Sequence, residues 1–180
     1  NSARNVAAAL DKTKYELQLL GISKEGSWHL LQDNSVLGKI KSVRSEDMAP
    51  VSELVTMANL GGKGRLISLK NSQTQFSFDV AFPVMHGALC EDGAIQGLFE
   101  LMNLPYVSCG VLGSAVSMDK DVMKRLFRDA EIPSAKFHML TPDNPLSFKI
   151  LEKELGLPFF IKPANAGSSV GVHKIKAESQ

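Results

Sequence analysis

Phe78-Asp79-Val80-Ala81-Phe82-Pro83-Val84-Met85 is an apolar run of strand length, and the fold turns on how it is read. Such runs suit a strand buried on both faces of a parallel sheet. A loop follows, His86-Gly87-Ala88-Leu89-Cys90-Glu91-Asp92-Gly93. Ile95, Leu98, Phe99 and Met102 then recur at helical spacing, with Asp92 as a candidate cap. Leu104-Pro105-Tyr106-Val107 opens the next strand. Strand, loop, helix and strand form the βαβ unit of an α/β fold.

Upstream, residues 2–10 are Ala-rich and helical, with Val6 and Leu10 one turn apart. Tyr15 to Ile22 alternates and predicts a strand; Gly26-Ser27 turns the chain into a second strand at Trp28-His29-Leu30-Leu31. Residues 33–76 carry little periodicity beyond a candidate strand at Leu66–Leu69 and a candidate turn at Gly61-Gly62-Lys63-Gly64. That glycine cluster lacks the preceding strand and following helix of a phosphate loop.

Downstream, the pattern changes near residues 110–113. Residues 114–131 predict one long helix, with Met118, Val122 and Leu126 on one face, ending before Pro133. Ala135–Leu140 predicts a strand, Thr141-Pro142-Asp143-Asn144-Pro145 a turn, and Phe148–Leu155 a helix closed by Gly156. Pro158–Ile161 and Val172–Ile175 predict strands flanking a Gly/Ser loop, residues 165–171.

Composition narrows the function classes. The 180 residues are 44% hydrophobic and 22% charged, with a net charge of +1 from 20 basic and 19 acidic residues. That balance gives no electrostatic case for nucleic acid or a membrane surface. No stretch approaches the roughly 18 apolar residues of a membrane helix, and the start lacks the apolar core of a signal peptide. Cys90 and Cys109 are expected to be free thiols in a reducing cytosol, a buried disulfide being the alternative. Asn1 enters a helical pattern at once, without an initiator Met, so both ends are expected to be cut.

Three features could carry chemistry. His86 follows a strand, where ligands of open parallel sheets bind; it could anchor a carboxylate or merely cap the next helix. Gly167-Ser168-Ser169 could cradle a phosphate with backbone and hydroxyl donors, or be a plain hairpin turn. Lys162 ends an apolar strand and Lys120 lies near the start of the long helix; each could be a phosphate-binding charge or a solvated lysine. Glu91 could orient a group in the cleft. No metal-ligand cluster is visible.

Together these residues resemble a family. Phe82-Pro83-Val84-Met85-His86-Gly87, Glu91-Asp92-Gly93 and Gln96-Gly97 are similar to the first signature of D-alanine-D-alanine ligases. Ser117-Met118-Asp119-Lys120-Asp121 with Lys124-Arg125-Leu126 resembles the opening of their ATP-binding domain. Phe160-Ile161-Lys162-Pro163-Ala164-Asn165 with Gly167-Ser168-Ser169-Val170-Gly171-Val172 resembles their phosphate-covering hairpin. The resemblance implies a Rossmann-like, pre-ATP-grasp α/β domain with a parallel sheet over residues 1–111, binding substrate and missing its first strand. The α+β start of an ATP-grasp domain would follow over 112–180.

It further implies ATP-dependent ligation of two D-alanine molecules through an acyl phosphate, for peptidoglycan synthesis, by a cytoplasmic homodimer. Lys120 and Lys162 would contact ATP phosphates, and Gly167, Ser168 and Ser169 would close over the transferring phosphate. Ser168 would also join a substrate-side network. His86 would lie near the first D-alanine carboxylate, with Glu91 behind it. Mg²⁺ ligands, the adenine segment and a mobile loop are expected outside these residues, so the stretch alone is expected to be inactive. Cys90 stands where such proteins often have Gly. A D-alanine-D-lactate or D-alanine-D-serine ligase, or a non-catalytic binding fragment, are the alternatives.

Overall fold

The computed structural model of the chain describes residues 2–32, 44–59, 64–73 and 75–178. The chain divides into two units, residues 1–84 with 98–108, and residues 85–97 with 109–180.

In the first unit, α1 (Ser2–Ala9) precedes five strands: β1 (Leu20–Ile22), β2 (Trp28–Leu31), β3 (Ser52–Asn59), β4 (Gly64–Ser68) and β5 (Gln75–Phe78). They pair antiparallel in chain order, with Ile22 opposite Trp28, Trp28 opposite Val55, Val55 opposite Ser68, and Gly64 opposite Phe78. A short helix, α2 (Ser45–Met48), leads into β3 through a 3-10 turn at Ala49–Val51. Burial on β4 alternates with the two-residue period of a half-buried strand, so Gly64, Leu66 and Ser68 face inward. Leu31, Met48, Val55, Leu66, Phe99 and Leu104 are buried in this unit. Gly64 is required by close approach: a Cβ there would lie 2.7 Å from the Phe78 ring and 2.8 Å from a Leu104 methyl.

The strand expected over 78–85 is corrected. Its pairing is one parallel bridge, Ala81 with Tyr106. Ala81 N–H donates to Pro105 O and Val107 N–H donates to Ala81 O, both at 2.9 Å. The next rung of a parallel ladder would need an N–H from Pro83, which proline lacks. On the other side the partner chain turns at Asn103, where φ is +47°. Val80 and Phe82, each 48% exposed, are therefore not buried on both faces. The fold is mixed α/β with a mostly antiparallel sheet. β3 and β5 went unread in the sequence. Of the alternating residues 15–22, Leu20–Ile22 form the ladder with β2, and Leu31 N–H donates to Leu19 O at 2.9 Å at its end. Gly61, Gly62 and Lys63 of the candidate turn lie outside the described residues; Gly64 opens β4.

α3 (Ala94–Leu101) spans the division between the units. The second unit then holds α4 (Val111–Met118), α5 (Lys120–Asp129), α6 (Phe148–Leu155), β6 (Phe159–Ile161) and β7 (His173–Ile175). β6 and β7 pair antiparallel, Phe159 opposite Ile175. Leu151, Phe159 and Ile175 are its buried cluster, with Leu146, Phe148 and Leu155 against them. The single long helix expected over 114–131 is two helices. Asp119 has extended backbone, and its carboxylate accepts the amides of Asp121 and Val122, each at 3.0 Å. A side chain that caps this way starts a new helix and competes with continuation of the old one. Residues 135–140 form no ladder among the described residues; Lys124 instead donates its ammonium to Ala135 O at 2.8 Å. The Thr141–Asn144 turn and the Phe148–Leu155 helix, with Gly156 at φ +75°, match the reading. Cys90 and Cys109 are both free thiols.

Candidate functional site

Two loops of the second unit meet. The first is held by its own acids. Glu91 Oε2 accepts Gly87 N–H at 2.6 Å; Asp92 accepts Leu89 N–H at 2.7 Å and Ala94 N–H at 3.1 Å. These backbone bonds, the one from Leu89 foremost, hold the Asp92 carboxyl below its ordinary range. Gln96, only 2% exposed, donates to Cys90 O at 3.1 Å and fixes the middle of the loop. His86 is exposed, its Nδ1 3.9 Å from Glu91 Oε1.

The second loop joins β6 to β7. Ser168 and Ser169 are consecutive non-glycine residues with positive φ, +50° and +60°. Such strained backbone costs about 1 kcal/mol or more per residue and concentrates at ligand clamps. Val170 N–H donates to Gly167 O at 3.0 Å and Val172 N–H to Ser169 O at 3.3 Å. The amides of Ser168 and Ser169 meet no protein acceptor among the described residues, leaving two successive N–H groups in the manner of an anion nest.

The loops converge at Gly167. A Cβ built there would lie 3.6 Å from Gly87 Cα and 3.7 Å from Glu91 Oε2. Beside them a cleft of about 170 Å³ is lined by Lys120, Lys162, Pro163, Val172 and residues 166–170. Lys162 is exposed, with its ammonium 5.8 Å from the Phe160 ring centroid. The Lys120 ammonium donates to Ala164 O at 3.2 Å and to Ala166 O. Thus Lys120, Lys162, Gly167, Ser168 and Ser169 share one cleft, and Glu91 touches the same loop with His86 near its other oxygen. The sequence reading missed the Asp119 cap and the carbonyl partners of Lys120. The first had a signal, Asp followed by a charged, amphipathic helix; the second had none.

A larger cleft of about 370 Å³ lies between α5 and α6. Much of its charge is already paired, Arg125 with Asp121 at 2.9 Å and His138 with Glu154 at 2.7 Å, while Arg128 also lines it. The smaller cleft, with strained loop, free amides and two lysines, is the better candidate for chemistry. Among the described residues no group of three or more His, Cys, Asp or Glu could hold a metal ion. Nor is any helix among them long and apolar enough to cross a membrane.

Comparisons with known proteins agree with this picture. Residues 1–109 match the family described as D-ala D-ala ligase N-terminus, and residues 126–180 the one described as D-ala D-ala ligase C-terminus. D-alanine-D-alanine ligase A of Escherichia coli K12 is 44% identical over 186 residues, covering 99% of this chain and 50% of that protein. The D-alanine-D-alanine ligase of Oceanobacillus iheyensis is 40% identical over 181 residues, with 99% and 50% covered. The chain therefore spans about half the length of the curated relatives it matches. Among solved structures, the D-alanine-D-alanine ligase of Coxiella burnetii gives a TM-score of 0.80 at 32% identity, covering 99% of this chain and 52% of that one. The VanG D-Ala:D-Ser ligase of Enterococcus faecalis gives 0.72 at 29%, with 99% and 51% covered. On this likeness along its whole length, and on the two loops it brings together, the chain belongs to the D-alanine-D-alanine ligase family.

Proposed function

We propose that the whole protein carrying this chain joins two D-alanine molecules at the expense of ATP, supplying D-alanyl-D-alanine for peptidoglycan. A carboxylate is a poor electrophile with a poor leaving group. The γ-phosphoryl of ATP passes to the carboxylate of the first D-alanine, giving an acyl phosphate and ADP. The amine of the second attacks that carbonyl carbon, phosphate leaves the tetrahedral intermediate, and the amine loses its proton. Positioning and charge neutralisation then carry most of the catalysis.

The convergence of the Gly167–Ser169 loop, Lys120 and Lys162 on one cleft carries this reading. The donor set fits a polyphosphate: two ammonium groups and two successive free amides. In the proposal Lys120 and Lys162 contact ATP phosphates, and the Ser168 and Ser169 amides close over the transferring group. Ser168 also joins the substrate network. His86 lies near the first D-alanine carboxylate, and Glu91, through Gly87 N–H, keeps its loop in shape. Mg²⁺ accompanies the triphosphate, held by residues outside the described ones. Residues 1–111 belong to a substrate-binding domain of Rossmann-like type in the whole protein; 112–180 begin an ATP-grasp domain. A cytoplasmic homodimer is the expected form.

The likeness to VanG favours a second reading, D-serine as acceptor; the relatives at 40% and 44% identity favour D-alanine. An assay of the whole protein with ATP, Mg²⁺ and D-alanine, alone or with D-serine or D-lactate, separates them. D-Alanyl-D-alanine with matching ADP release is expected. ADP release indifferent to D-alanine would contradict the proposal.

A further inference from the structure

Three hydrogen bonds run from one residue to one short stretch of chain. The Lys120 main-chain N–H donates to Ala164 O at 3.0 Å. Its ammonium donates to the same oxygen at 3.2 Å and to Ala166 O, 46 residues downstream. Those carbonyls flank Asn165, where the segment that follows β6 leads into the strained Gly167–Ser169 turn. Lys120 is itself well placed to hold them. It is the first residue of α5, and the Asp119 carboxylate fixes that helix start through Asp121 and Val122. Strained backbone persists only where its surroundings over-determine it. Among the described residues, the backbone bonds inside the loop run from Val170 to Gly167 and from Val172 to Ser169, both beyond the leg that Lys120 grips.

We propose that Lys120 is a positioning residue that anchors the Gly/Ser loop before any nucleotide arrives, besides supplying charge to the cleft. An ammonium has three N–H donors. Two hold Ala164 and Ala166, which leaves one for a ligand of the cleft that Lys120 lines. A single residue thereby ties the shape of the loop to the position of a phosphate. The phosphate half of this statement rests on the ligase reading; the anchoring half does not.

The test is amide hydrogen exchange at Val170 and Val172 in the whole protein without nucleotide. Lys120→Met is expected to speed exchange there about tenfold, the scale of losing a charge-assisted hydrogen bond. Lys162→Met, which removes an equal charge but no anchor, should leave it unchanged. Lys120→Arg, which keeps donors, should restore part of the protection. Unchanged exchange in Lys120→Met alongside a raised KM for ATP would overturn the anchor and leave a plain phosphate ligand. If Lys120→Met does not fold, the wild-type ammonium is read directly by NMR. Its protons should exchange with water more slowly than those of exposed Lys153; equal rates would overturn the proposal. Changed exchange in a protein that makes no dipeptide would keep the anchor and sink the ligase reading instead.

Discussion

The five-stranded sheet of the first unit and the loops of the second are held by different physics. In the sheet, a continuous antiparallel ladder closes over buried Leu31, Val55 and Leu66, and the stabilisation is apolar burial plus backbone pairing. In the loops, charged side chains reach back to the main chain: Glu91 to Gly87, Asp92 to Leu89 and Ala94, Asp119 to Asp121 and Val122, Lys120 to Ala164 and Ala166. The first arrangement rests mainly on apolar burial and backbone pairing, terms that salt and pH change little. The second shapes a site from groups that respond to both, with few buried apolar atoms around them.

The largest effect is expected where burial dominates. Leu66→Ala should destabilise the protein by about 2–5 kcal/mol, read from the denaturant midpoint, with ligation kinetics little changed in the folded fraction. A loss below 0.5 kcal/mol would break the contrast from the sheet side. Asp119→Ala should cost about 1 kcal/mol by losing the cap, and it should also lower kcat/KM, because α5 begins at Lys120. Asp119→Asn, which still caps, should recover the stability.

Acid should separate the regions further. Asp92 has a depressed pKa when folded, so its contribution is full above the unfolded value of about 3.9 and is lost as pH falls through the folded value. Exchange of the Leu89 and Ala94 amides should therefore rise below about pH 4 before that of β3 and β4; Asp92→Asn should abolish that pH dependence locally. The smallest effect concerns thiols. Burial foremost, then the charges of Asp92 and Glu91, raises the Cys90 thiol, and Cys109 is exposed. Alkylation near pH 8 should label Cys109 first, by mass spectrometry of the peptides; faster labelling of Cys90 would contradict the described loop.

The same contrast explains what could be read from the chain. Phe148–Leu155 was legible because its period and Gly156 act within ten residues. The β6–β7 hairpin was legible because two strand-length segments flank one Gly/Ser loop. β3 and β5 were not, since their partners, not their own pattern, make them strands; Ser52-Glu53-Leu54-Val55 shows no clean alternation. The run at 78–85 misled because its hydrophobicity suits a buried parallel strand, while Pro83 stops the ladder after one rung. The candidate residues His86, Glu91, Lys120 and Lys162 could be singled out by type and motif. Their joining was not: Lys120 meets carbonyls 44 and 46 residues away, and Gly167 meets Gly87 across eighty positions of chain.

The central claim is that the loop from His86 to Glu91 and the loop from Asn165 to Gly171 form one ligand site. Hydrogen exchange of the whole protein, with and without a non-hydrolysable ATP analogue plus Mg²⁺ and D-alanine, tests it directly. Both loops should gain protection together when all three ligands are present, while β3 and β4 stay unchanged. Protection confined to one loop, or to the sheet, would contradict it.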